Sequence, residues 1–213
     1  DDVPDNDWLM ELLRTQLDSS ADIVAGNRRL VDPPPWTQGV GERRKKKSSS
    51  KQVGKHCMPR SAGTGNVLIS RGVLLTLVGD GLVFHPAFNL SGGEDKDFFL
   101  RAIKSGATMA FAEKSFITQY HDQQRYTAEG VVARGFKSGC SKMNVTRCHG
   151  SRSQSFSLIG GAVTKLLTSI ISLPFVVFTP KQRLGYLYRM GKSLGILYFF
   201  LTGKSAKYYY HEH

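Results

Sequence analysis

A chain of 213 residues, 40% hydrophobic and 10% aromatic, is long enough for one good core and an appendage, and most of it should fold. Lys and Arg number 29 against 17 Asp and Glu, a formal charge of +12, which points to an anionic partner: nucleic acid, phospholipid headgroups or a phosphorylated substrate. Cys57, Cys140 and Cys148 form no C-x-x-C pair, which argues against a disulfide scaffold and fits a reducing compartment.

Residues 5–17 read as a helix. Asp5 or Asn6 can cap it, and Trp8, Leu9, Leu12, Leu13 and Leu17 predict one buried stripe. Ile23 to Val31 reads as a strand, stopped by Pro33-Pro34-Pro35. Apolar residues almost vanish from Thr37 to Gly63, and Arg43-Arg44-Lys45-Lys46-Lys47-Ser48-Ser49-Ser50-Lys51 lies inside that stretch. This composition predicts a mobile basic loop over 37–62. Val67, Leu68 and Ile69 make a short buried strand. Two more strands are predicted over 108–112 and 115–120, joined by Glu113-Lys114. An amphipathic helix over 127–138 turns Val131, Val132 and Phe136 inward.

Between these elements stands Gly92-Gly93-Glu94-Asp95-Lys96-Asp97-Phe98-Phe99. Its carboxylates come behind two glycines and ahead of the helix-spaced residues Phe99, Ala102 and Ile103. Acids in a first turn suit the helix dipole, and Lys104 and Gly106 mark an end. A capped surface helix accounts for that much. Two glycines exceed what capping needs, and they let a backbone or a ligand come close to the carboxylates. A carboxylate at a helix start beside a Gly-lined space is a candidate general base. Spacing alone does not choose among Glu94, Asp95 and Asp97.

The character changes after about Ser151. From Ser153 to Pro180 the only charged residue is Lys165. The uncharged run from Leu166 to Pro180 is shorter than the roughly 20 residues a spanning helix needs, and a lysine near a helix centre costs about 3 kcal/mol. Basic residues flank both ends: Arg147 and Arg152 before, Lys181 and Arg183 after. A membrane-embedded hairpin or interfacial helices are therefore expected rather than a single crossing. Leu184 to Thr202 mixes Tyr186, Tyr188 and Tyr198 with Arg189 and Lys192, which suits a bilayer interface. The alternative is a soluble helical subdomain. The expected division is 1–150 and a helical, membrane-associated 151–213.

Four runs then carry a resemblance. They are Thr64-Gly65-Asn66-Val67-Leu68-Ile69-Ser70-Arg71; Phe84-His85-Pro86-Ala87-Phe88; the Gly-Gly-Glu-Asp element; and Gly106-Ala107-Thr108 through Phe116-Ile117-Thr118-Gln119-Tyr120-His121. In this order they resemble the acceptor half of family 2 glycosyltransferases, inverting enzymes with a GT-A fold, and within them the succinoglycan-type exopolysaccharide branch. The similarity covers about residues 1–140. Asp1-Asp2-Val3-Pro4-Asp5-Asn6-Asp7-Trp8-Leu9 resembles the family segment just after its metal-binding Asp motif.

The resemblance implies an α/β fold, the acceptor-side part of a GT-A domain cut at the metal motif, followed by a helical membrane tail. It implies Asp95 as general base, with Glu94 contacting the acceptor or orienting the site. Gly92, Gly93 and Asp97 then belong to the acceptor loop, with Asp97 holding the loop or capping the helix. Asp1 takes the place of the last metal-binding aspartate, and His121 resembles a third metal ligand; read alone, Asp1 and Asp2 are a solvated terminus, and a lone His after a strand is structural or exposed. Arg125 would reach a diphosphate, although glutamines replace the prolines expected around it. No Gln-x-x-Arg-Trp motif is present, which disfavours processive synthesis.

The implied cofactor is a divalent metal, Mg²⁺ or Mn²⁺, to neutralise the leaving diphosphate. The implied partners are a nucleotide-sugar donor, a lipid-linked or saccharide acceptor, and membrane lipids at the cytoplasmic face of a bacterial inner membrane. The competing reading is a non-catalytic basic protein binding membrane or nucleic acid through residues 43–51. That run lacks interleaved aromatics and belongs to no recognisable nucleic-acid fold, so nucleic acid is not the expected partner.

Overall fold

The computed structural model describes residues 2–31, 63–79, 83–88, 92–120, 123–176 and 180–204. The basic loop expected over 37–62 lies outside the described residues. The chain divides into two compact units. One comprises Asp1–Phe84 and Asp95–His121, the other His85–Glu94 and Asp122–His213.

The first unit is mixed α/β. Strands β1 (Asp2–Pro4), β2 (Ile23–Leu30), β3 (Val67–Ile69) and β4 (Met109–Gln119) form a sheet of order β1-β4-β2-β3. The central pair β2 and β4 is parallel, and both edge strands run antiparallel to their neighbours. Strand alternation divides the core between the two faces. Ile23 and Met109 pack with Phe98, Phe99 and Ala102 of α3 (Glu94–Lys104) and with Val73 and Leu77 of α2 (Arg71–Gly79). Val24, Ala110 and Ala112 turn to the opposite face, against Leu12 and Trp8 of α1 (Trp8–Ser19). Phe98 and Phe99 are fully buried, their rings edge to face at 5.3 Å. Each buried Phe contributes about 1.5–3 kcal/mol.

Two local expectations differ from the structure. The stripe on α1 is narrower than predicted: Leu12 is buried, but Leu9, Leu13 and Leu17 are 43%, 37% and 79% exposed. The sheet face beneath offers Val24, Leu68 and small alanines, and Trp8 and Leu12 pack on it. The two strands expected over 108–120 are one strand with an irregularity. Register with β2 jumps from Gly26↔Ala112 to Asn27↔Phe116, which leaves Glu113, Lys114 and Ser115 unpaired with β2. Asn66 fills this bulge: its amide donates to the Asn27 and Ser115 carbonyls, and its carbonyl accepts from the Ser115 hydroxyl. A side chain at Gly26 would collide with Asn66 and Ser115, so the bulge needs glycine there. Helix α2 was not anticipated, although Ser70 capping the Val73 amide and the spacing Val73, Leu74, Leu77 are its signal. As expected, α3 ends at Gly106, in the left-handed region at φ +99°.

The second unit is helical. After a tight turn at Gln123–Tyr126 come α4 (Ala128–His149), α5 (Arg152–Val176) and α6 (Pro180–Thr202). Thr127 caps α4 by accepting from the Gly130 amide at 3.1 Å. The helix expected over 127–138 runs on to His149. Its partner is α6. A Cβ at Gly135 or Gly139 would strike the α6 backbone at Tyr188 or Lys192. One at Gly191 or Gly195 would strike the α4 backbone at Val132 or Phe136. The two helices run in the same direction, with one pair of glycines four residues apart on each, and their backbones touch. Cys140, Met143, Ala162, Ile196 and Phe199 close the core beside that seam.

Helix α5 differs from the uncharged run expected from Leu166 onward. It starts at Arg152 and takes Lys165 into its middle. Residues Arg152–Ser172, a stretch of 21, are long and apolar enough to cross a membrane by length and composition, and only 11% of that stretch is buried in the protein. Phe156, Val163, Leu167, Ile170 and Ile171 are exposed.

Candidate active site

The Gly-Gly-Glu-Asp element begins where two consecutive residues need a left-handed backbone. Gly92 has φ +67° and Gly93 φ +101°, a region that strains any side chain. Gly93 carries a second constraint, because a Cβ there would stand 2.5 Å from the Ser141 hydroxyl and 3.2 Å from Val145 on α4. Gly92 lies beside Lys137: a Cβ there would be 3.3 Å from Lys137 Cε and 3.9 Å from Glu94 Oε2. These residues belong to the second unit, and the chain passes into the first between Glu94 and Asp95.

Asp95 lies in the first turn of α3 and is half-buried. Its Oδ1 accepts a hydrogen bond from the Thr64 hydroxyl at 2.7 Å. Its Oδ2 would stand 3.3 Å from a Cβ on Gly63, and Nη2 of Arg28 would stand 2.6 Å from the same point. A Cβ on Gly65 would meet the same guanidinium at 2.8 Å and Asp2 Oδ2 at 3.2 Å. The turn Gly63-Thr64-Gly65 therefore gathers a hydroxyl, a guanidinium and two carboxylates in a small space. Asp2 comes from edge strand β1, Arg28 from β2 and Asp95 from α3.

Asp97 sits differently. It is buried beside Phe98, and its Oδ2 accepts from Arg101 Nε at 2.9 Å. Arg101 also donates to the Val83 carbonyl at 2.6 Å. The pair braces α3 against the segment that precedes it. Arg125 is half-buried on the turn Gln123–Tyr126 of the second unit. Asp1 and His121 lie outside the described residues. Among the described residues no three His, Cys, Asp or Glu side chains converge to hold a metal ion.

Arg28 and Gly63 were not foreseen from sequence. Nothing in a strand Arg marks it for a site. Two glycines bracketing a hydroxyl were the available signal for the turn. An open depression of about 560 Å³ lined by Asp5, Asn6, Asp7, Glu11 and Lys114 also lies in the first unit, but it contains none of these residues.

Over 167 residues the chain is 27% identical to the succinoglycan biosynthesis protein ExoM of Rhizobium meliloti (strain 1021). The chain is a distant relative of a succinoglycan biosynthesis protein. The match covers 76% of the chain and 52% of that relative, so the chain spans about half the length of the curated protein it matches. No protein-family model matches the chain, and no solved structure matches it significantly.

Proposed function

We propose that this chain supplies the acceptor-side part of an inverting family 2 glycosyltransferase of GT-A type, acting in exopolysaccharide synthesis. It would transfer a sugar from a nucleotide-diphosphate donor to a lipid-linked or saccharide acceptor. The observation that carries this reading is Asp95, a carboxylate at a helix start, held by Thr64 beside Gly63 and reached through two left-handed glycines. The distant relationship to a succinoglycan biosynthesis protein supports the same reaction class.

Asp95 takes the proton from the acceptor hydroxyl as its oxygen attacks the anomeric carbon. Glu94, Gly92 and Gly93 meet the acceptor. Asp97, engaged with Arg101, serves the acceptor site by holding α3. Arg125 is the proposed cation for the departing diphosphate. A divalent metal, Mg²⁺ or Mn²⁺, belongs to the proposal on Asp1 and His121 and would neutralise diphosphate charge when bound. The described residues do not by themselves compose its ligand set.

The test is nucleoside diphosphate release by the protein that carries this chain. The donors are UDP-glucose, UDP-galactose and GDP-mannose, and the acceptor is a bacterial polyprenyl-diphosphate–glycan extract. Release that requires the extract with one of the donors is expected. Release indifferent to the extract with every donor would overturn the reading.

The second unit is proposed to hold the enzyme on the cytoplasmic membrane face through the exposed apolar side of α5, with Tyr186, Tyr188 and Tyr198 at the interface. Salt should extract the protein from membranes only partly, because screening removes the lipid-charge contribution and leaves apolar burial. Leu167, Ile170 and Ile171 are exposed, so changing all three to Gln should lower the membrane-bound fraction without unfolding α5. A protein that fractionates as freely soluble before any substitution would contradict membrane attachment.

A further inference from the structure

Asp95 is gripped on one oxygen. Oδ1 accepts from the Thr64 hydroxyl at 2.7 Å, while Oδ2 faces the space over Gly63 that Arg28 also borders. A donor on one oxygen occupies a lone pair and stops the carboxylate from turning, so its two oxygens are no longer equivalent. Glycine at 63 matters for the other oxygen, since a side chain there would crowd both Oδ2 and the guanidinium.

We propose that Thr64 is a positioning residue that makes Asp95 a one-sided base, with Oδ1 locked and Oδ2 receiving the acceptor proton across the space over Gly63. The inference rests on the reading of Asp95 as general base. In the step, the acceptor O–H bond breaks and its proton passes to Oδ2. The acceptor oxygen bonds to the anomeric carbon. The bond from that carbon to the diphosphate oxygen breaks, and its electron pair leaves with the diphosphate. Thr64 touches none of the reacting atoms. It acts by holding Asp95 where the proton is transferred. Nη2 of Arg28 borders the space over Gly63, which Asp95 Oδ2 also borders, and the space over Gly65, which Asp2 Oδ2 borders.

Thr64→Val keeps the side-chain shape and removes the donor; Thr64→Ser keeps the donor. With the donors and extract named above, Thr64→Val should lower kcat about 10–100-fold, the scale of a misplaced catalytic group, with little change in acceptor KM. Thr64→Ser should restore most of it. Urea unfolding gives a readout independent of turnover. The midpoint losses of Thr64→Val and Asp95→Ala should overlap, so that the double variant is little less stable than either single one. Additive midpoints would overturn the contact. Equal slowing by Val and Ser, or an effect confined to KM, would overturn the positioning role. Wild-type kcat in Thr64→Val beside an inactive Asp95→Asn would overturn this inference alone. An active Asp95→Asn would overturn the base assignment beneath it.

Discussion

Replacing Asp95 by Asn should abolish sugar transfer by the protein that carries this chain and leave its fold intact. The change is isosteric. An amide oxygen can still accept from the Thr64 hydroxyl that now meets Oδ1, so the turn at Gly63-Thr64-Gly65 keeps its partner. What disappears is the ability to take a proton. Loss of a general base costs about 10²–10⁴ in rate, and more where the same group orients the acceptor. Transfer is measured as acceptor-dependent nucleoside diphosphate release, and folding by the urea midpoint. Activity within about threefold of the unaltered protein, far from the cost of a lost base, would sink the assignment. Donor binding should survive, because Asp95 is proposed to act on the acceptor.

Gly139→Leu should undo the packing of the helical unit. A Cβ at Gly139 collides with the Lys192 carbonyl oxygen and stands 2.9 Å from the Ile196 amide nitrogen. Backbone on a facing helix cannot swing aside as a side-chain tip can. Overpacking in cores costs about 1–3 kcal/mol, occasionally more, and a clash with backbone belongs at or above the top of that range. The effect should appear as early loss of helical signal on denaturation in detergent or lipid. Gly160 is the control, for a Cβ there meets nothing within 4 Å. Gly160→Ala should be neutral or stabilising by up to about 1 kcal/mol, the helix-propensity difference. Equal stability of Gly139→Leu and the unaltered protein would show that α4 and α6 do not touch through these glycines.

Gly92 and Gly93 both take the left-handed backbone that glycine allows, and α3 buries Phe98, Phe99 and Ala102 as their spacing predicts. Those features are local. A helical face is set by residues three and four apart, and a left-handed position by the glycine itself. The α1 stripe was misjudged for the opposite reason. Leucine spacing says which residues share a face, but the width of the buried strip depends on the surface that receives it, and here that surface is largely alanine.

Strand β2, the acidic helix with its glycines and its end, and the apolar character of the last third are legible in the chain alone. All of these depend on periodicity and on conformational preference within a few residues. Which side chains meet Asp95 depends on contacts between distant segments. The sheet order β1-β4-β2-β3 is a set of long-range pairings, and it brings Asp2, Arg28 and the Thr64 turn to one place from three distant segments. The same holds for the helical unit. Glycines at 135, 139, 191 and 195 look like weak helix formers when read singly. Their reason exists only when α4 and α6 lie backbone to backbone and no room remains for a Cβ.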